Sequence, residues 1–318
     1  MNLRKDEGKR NVFLETILAI AISVVYMLVV IYYIPELMFL YPVYFIILGI
    51  RHGINYNVTG LLISALIIGM VVDMVFAISI IIAFAPLSIV LNYTIERRRK
   101  SLEIISSSTL LLFISFLIIM IVMKGVTGIS LINQLEERLA QLLDGQMNAL
   151  KNMDLSSYEM LKIGDGLEGI VQYTILIMPS IMIIFSLAIA YINYLISVLI
   201  LRRWGYGIVS IPRFSRLQLP SNILLGTGIM FIGAFILKGL KLFYYETILL
   251  NITVLIFFIF FIQGLSVVDY KLIAMKFPIF LRGIIIILLM VLLPFGWIIS
   301  IIGLLDVIID FRKLGRTT

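Results

Sequence analysis

The chain has 318 residues, 62% of them apolar and 14% charged, with a mean hydropathy of +1.13 and a formal net charge of +7. Soluble domains run near 45–50% apolar and about 25% charged, so this composition excludes a soluble enzyme, a disordered chain and a nucleic-acid-binding domain, and leaves a polytopic membrane protein. With no cysteine and one histidine, His52, the chain cannot build a disulfide framework, a thiolate metal site, a cysteine nucleophile or a multi-histidine metal centre, and no catalytic, cofactor-binding or metal site is expected.

A bilayer core of about 30 Å takes about 20 apolar residues as a helix, and ten segments qualify. Val12 to Tyr33 is a retained first span, since no small-residue cleavage site closes it. Glu36 to Ile50 holds Pro42 and is short enough to be re-entrant. The run from Asn57 to Tyr93 is too long for one crossing and folds into two around Asp73, its only charge. Leu102 to Met123 is the fifth span and Ile170 to Leu201 the sixth. Ile223 to Leu242 and Thr247 to Leu265 follow, and Ile279 to Ile309 divides at Pro294 and Gly296 into two short helices.

Basic residues test this count, because Lys and Arg collect in cytoplasmic loops. With ten spans, 19 of the 25 basic residues fall on one side, among them Arg51, the run Arg97 to Lys100, Arg202, Arg203 and Arg312. Removing any one span scatters them, so both termini are expected in the cytoplasm. The net charge then records orientation rather than a nucleic-acid partner.

Lys124 to Glu168 is not membrane-like and lies outside by this topology. Leucines from Leu131 to Leu150 recur at helical spacing and predict an amphipathic helix over Ser130 to Asn152. Ser156 and Glu159 form an S-x-x-E capping box that starts a second short helix, and Gly164, Asp165 and Gly166 are expected to break the chain before the sixth span. This helical hairpin either rests on the membrane surface or serves as a lid or docking arm.

Small residues at Ala19 and Ser23, at Gly49 and Gly53, at Gly60, Ser64 and Gly69, and at Gly226, Gly228 and Gly233 read as helix-packing seams. Ionisable groups at membrane depth are functional candidates, but Glu15 and Glu103 lie near span ends, and Asp306 and Asp310 are placed to pair with Arg312 and Lys313. Asp73 is either a surface turn or dips inward to a site. His52 sits at the inner interface, and a proton relay there would need an acidic partner that its sequence neighbours do not supply. Asn92, Asn193, Asn251 and Gln263 are placed to bond between helices, the leading expectation, or to a substrate. Gln172, Tyr173 and Thr174 either mark the outer interface of the sixth span or, with Asp73, contact a neutral polar or heteroaromatic solute through amide, hydroxyl and ring.

Tyr41-Pro42-Val43, Leu48-Gly49, Gly53 and Gly60, followed by two apolar spans and a basic cluster, resemble the substrate-binding components of energy-coupling-factor transporters and the related rod-shape-determining membrane subunit. Over nearly the whole chain, Pro179, Leu201-Arg202-Arg203, Phe214 to Pro220, Gly264 to Asp269, Gly303 to Asp306 and Phe311-Arg312 resemble the YybS-like family of bacterial membrane proteins. These resemblances imply an all-α transmembrane bundle of about ten spans: a six-helix core over 1–201, carrying an extracytoplasmic hairpin at 124–168, and a four-helix extension over 202–318. They imply a multi-pass protein of the bacterial cytoplasmic membrane that is not an enzyme, with the lipid bilayer, a small-molecule solute and a membrane-protein partner or energising subunit as its associates. No ATP-binding G-x-x-x-x-G-K-[ST] loop occurs in the chain. Solute binding or transport is the leading expectation; the alternative is a scaffold for envelope, cell-shape or division machinery.

Overall fold

A lipid environment offers no hydrogen-bond partner to the backbone, so apolar segments close their bonds internally as helices. The computed structural model of the chain describes residues 2–150, 156–207, 213–220, 222–240, 244–291 and 296–314, and every regular element among them is helical. They are α1 (Asn2–Tyr33), α2 (Pro42–His52), α3 (Ile54–Val71), α4 (Met74–Glu96), α5 (Ser101–Thr127), α6 (Leu131–Leu150), α7 (Ser157–Leu176), α8 (Met178–Arg203), α9 (Ile223–Gly239), α10 (Tyr245–Ala274), α11 (Ile279–Val291) and α12 (Gly296–Ile309), with 3₁₀ turns at Pro35–Leu40 and Phe214–Arg216.

Each of the ten expected segments therefore carries a helix. Among the described residues, six are long and apolar enough to cross a membrane: Val12–Tyr33 within α1, then α3, α4, α5, α8 and α10. The other four are shorter: α2 has 11 residues, α9 17, α11 13 and α12 14. At 1.5 Å per residue α2 covers only about half the hydrocarbon thickness, and the 3₁₀ turn before it is tied to α1, with the Tyr26 hydroxyl donating to the Leu37 carbonyl at 2.7 Å. The last apolar stretch is divided as expected, with α11 and α12 lying at 113° to each other; Pro294 is outside the described residues.

The chain forms two compact units, one of Met1–Val171 with Phe185–Ile211 and one of Gln172–Ile184 with Pro212–Thr318. In the first unit, Met27, Tyr41, Phe45, Leu61, Ile68, Leu87, Leu91, Ile104, Leu112 and Tyr194 are buried together. Gly60 and Gly69 are seams there, since an added Cβ would press on Phe45 at 3.2 Å and on Ala77 at 2.6 Å. Phe13, Met70, Leu110 and Ile121 point outward, as residues solvated by lipid do.

In the second unit α10 and α12 touch backbone to backbone. A Cβ on Gly264 would overlap the Ile299 carbonyl, and one on Gly303 the Phe260 carbonyl. The small-residue reading of α9 is corrected: nothing among the described residues lies within 4 Å of a Cβ built on Gly226, Gly228 or Gly233. Spacing makes a close approach permissible, but a neighbouring helix must be present to use it.

The polar stretch folds as two helices. α6 buries no residue, and the Met147 thioether methyl lies 3.4 Å from where a Gly164 Cβ would be. The capping box forms: Ser156 N–H donates to Glu159 Oε2 at 2.9 Å and Glu159 N–H to Ser156 Oγ at 3.3 Å. The hydroxyl hydrogen bond from Ser156, then its backbone N–H, hold the Glu159 carboxyl below the usual carboxylate range. The expected break at Gly164 to Gly166 does not occur. α7 runs on for 20 residues to Leu176 and the helix is interrupted at Ile177 instead. A glycine costs a helix about 1 kcal/mol, whereas proline has no N–H to give and disfavours helical backbone before it, so Pro179 places the break.

Candidate functional site

The expected solute contacts fall as follows. Asp73 is exposed and has extended backbone (φ −172°) at the turn between α3 and α4. Gln172 and Tyr173 are exposed on the last turns of α7, and Thr174 beside them is half-buried. Asp73 belongs to one compact unit and the other three to the second.

Polar groups converge elsewhere in the first unit. Asn57, one turn into α3, and Ser88, on α4, are fully buried; the Ser88 hydroxyl donates to Asn57 Oδ1 at 2.6 Å, and Asn57 Nδ2 donates to the Ser88 carbonyl at 3.3 Å. Asn92, one turn on from Ser88, reaches α2, its Nδ2 donating to the Ile46 carbonyl at a long 3.4 Å. Only glycine fits at position 49, because a Cβ there would overlap Asn92 Nδ2 and come within 2.7 Å of the Asn57 Cβ. Asn92 thus bonds between helices as expected, but its Oδ1 is buried and accepts no hydrogen bond. The Ser108 and Ser197 hydroxyls and Asn193 Oδ1 are buried in the same condition, while Asn193 Nδ2 donates to the Phe39 carbonyl at 2.8 Å. Tyr41 adds a buried hydroxyl bonded to Ser64 at 2.5 Å.

At the α2–α3 turn, His52 finds the acidic partner that its sequence neighbours lack. His52 Nε2 lies 2.6 Å from Glu15 Oε2, and Arg51 Nη1 lies 2.7 Å from the same oxygen. The Arg51 guanidinium also covers the Trp204 ring at 4.9 Å. Glu15 is thereby corrected from an incidental span-end charge to the anion of a three-residue cluster. The two sites are 37 residues apart in the chain, so only the return of α2 beside α1 brings them together.

The second unit has its own buried charge. Arg312 Nη2 lies 2.8 Å from Asp306 Oδ2, with both side chains almost fully enclosed. Arg312 also donates to the Ser215 carbonyl at 2.8 Å, to Ser266 Oγ at 2.7 Å and to the Leu217 carbonyl at 2.7 Å. Gln263 Nε2 donates to Asp306 Oδ2 at 2.7 Å, and its Oε1 accepts from the Leu219 N–H. Asn251 likewise bonds between helices, accepting from Ser180 N–H at 2.9 Å and donating to the Leu176 carbonyl at 2.8 Å. With its donors and acceptors matched, the Arg312 network reads as a clasp that pins residues 214–219 onto α10 and α12. A second ion pair joins Arg282 to Asp269 at 3.0 Å.

The described residues contain no group of three or more His, Asp and Glu side chains placed to hold a metal ion. No curated protein and no solved structure matches the chain. Residues 19–307 match one family over most of the length, and the helices described above are those of a membrane protein. The chain belongs to the family described as "Predicted membrane protein (DUF2232)".

Proposed function

We propose that the protein is a non-enzymatic integral membrane protein of the bacterial cytoplasmic membrane that binds a small polar solute within its first compact unit, as the resemblance to transporter substrate-binding components implies. Asn92 is the observation that supports this most directly. It is completely buried beside the Asn57–Ser88 pair, and its amide oxygen has no donor. A buried acceptor left unpaired costs about 1–3 kcal/mol, a cost that a hydroxyl or N–H on a solute removes. Buried polar groups in a membrane protein mark substrate pathways as well as helix contacts, and the Glu15–Arg51–His52 cluster lies on the α2 turn that leads into α3 and Asn57. Without an ATP-binding loop in the chain, energy for movement would come from a partner subunit or an ion gradient.

The test is native mass spectrometry of the detergent-purified protein. Asn92→Leu keeps the branched side-chain shape, adds volume and removes the amide, and should abolish retention of a copurified polar solute, with a cooperative thermal transition showing that the variant is folded. Full retention of the solute by that variant overturns the site. A wild-type protein that brings no solute from the cell, but crosslinks reproducibly to one envelope protein through α6 and α7, supports the scaffold instead; the reading is favoured by α6, which buries none of its residues.

A further inference from the structure

We propose that the turn between α4 and α5 is a binding site for the phosphate headgroup of an anionic phospholipid, held by Arg97, Arg98, Arg99 and Lys100. These four cations and Glu103 line a shallow, open depression of about 500 Å³. Basic loops orient membrane proteins wherever they occur, but orientation requires only charge, and this turn has shape as well. Arg98 N–H bonds to the Ile95 carbonyl at 3.0 Å and Arg99 N–H to the Thr94 carbonyl at 3.1 Å, closing α4 with Arg98 in left-handed backbone at φ 51°. A non-glycine residue costs about 1 kcal/mol or more there, so the turn is held against a local penalty.

The cations are also partly fixed. The Arg97 guanidinium stacks on the Tyr93 ring at 4.3 Å, which leaves its N–H edges free of the ring face to meet phosphate oxygens in a planar fork. The single carboxylate in the lining, Glu103, reaches only Arg99, at 3.8 Å with both groups about half exposed, so the concavity keeps a strong positive excess. The start of α5 adds to it: Lys100 precedes the helix with no side chain capping the first N–H groups, whose partial positive charge favours an anion.

A lipid is favoured over a soluble phosphate because the two flanks of the concavity are apolar and outward-facing. Tyr93 on α4 is 44% exposed and Leu102 on α5 is 58% exposed, and both helices are long and apolar enough to span a membrane. An amphiphile with its phosphate on the arginines would lay its acyl chains along those residues; a free phosphate would make no use of them.

The proposal is tested on the full chain in detergent by native mass spectrometry, titrating phosphatidylglycerol, phosphatidylcholine and inorganic phosphate. Wild-type protein should retain phosphatidylglycerol in preference to phosphatidylcholine. The R98Q/R99Q variant, which spares the Arg97–Tyr93 stack, should bind it about fivefold more weakly per charge removed, and the full R97Q/R98Q/R99Q/K100Q variant more weakly still. The charge-matched K271Q/K276Q variant at the end of α10 should bind like wild type. Equal loss in that control, or unchanged retention by R98Q/R99Q, overturns the site. Displacement of bound lipid by millimolar inorganic phosphate assigns the cations to a soluble anion and overturns the lipid.

Discussion

Arg312 and Asp306 show how much one side chain can carry when it is enclosed. A guanidinium removed from water needs its donors matched, and here a carboxylate, two carbonyls and a hydroxyl match them. Removing one partner leaves the other charge buried and alone, typically a loss of about 3–5 kcal/mol. Arg312→Gln and Asp306→Asn are each expected to lower the thermal midpoint sharply in detergent, whereas Asp306→Asn together with Arg312→Gln should recover part of the loss. A double-mutant cycle by differential scanning fluorimetry checks this, and additive losses would remove the clasp from the account. Arg51 makes the opposite case: it shares the Glu15 carboxylate with His52 and is about one-third exposed, so its loss is screened and should be milder.

At the scale of the element, the α10–α12 contact depends on two glycines. A methyl group at Gly264 or Gly303 meets a backbone carbonyl rather than a flexible side chain, so neither neighbour can yield without moving a helix. Gly264→Ala and Gly303→Ala should each destabilise the second unit by a few kcal/mol, while Gly228→Ala on α9 should be neutral or slightly stabilising through helix propensity. Thermal melts of the three variants in one detergent decide it; equal effects at all three positions would contradict the packing.

These residues also mark where sequence reasoning succeeds. Apolar runs dictate helices, and all ten segments carry one. Ser156 and Glu159 are three residues apart on a local motif, and Asp306 faces Arg312 only six residues away, so both pairs were legible. Glu15 and His52 were not, because their contact depends on a tertiary return. Nor can spacing distinguish Gly264 from Gly228: the chemistry of the residue is the same, and the difference lies in what packs against it. The inner polar site was half legible. Asn92 was expected to bond between helices, but its unpaired oxygen depends on the register of α2 against α4.

For the whole molecule, the charge pattern predicts an orientation. In the first unit Arg51 lies against Trp204, just past the Arg202–Arg203 end of α8, and the Arg98 guanidinium lies 4.0 Å from where a Gly207 Cβ would be. Basic residues from three loops thus gather at one end of that unit, the arrangement expected of the cytoplasmic face we propose. The chain is naturally free of cysteine, so single cysteines report cleanly. A cysteine at Asn148 should react with a membrane-impermeant maleimide on intact cells, and one at Ser101 only after permeabilisation. The reverse pattern would invert the topology and move the lipid site to the outer leaflet.

The Arg312 clasp has a consequence for biosynthesis. The partners of Arg312 are spread over the chain at Ser215, Leu217, Ser266 and Asp306, and all of them leave the ribosome before it does. Until Arg312 emerges, α12 has to be threaded toward the bilayer with the Asp306 carboxylate uncompensated, at a cost of a few kcal/mol. The second unit is therefore expected to close only after α12 and Arg312 have both left the ribosome, rather than helix by helix in order of translation. Its earlier helices are then expected to stay protease-sensitive until Arg312 has joined them and the unit can close, which pulse proteolysis of nascent chains truncated before and after Arg312 would show.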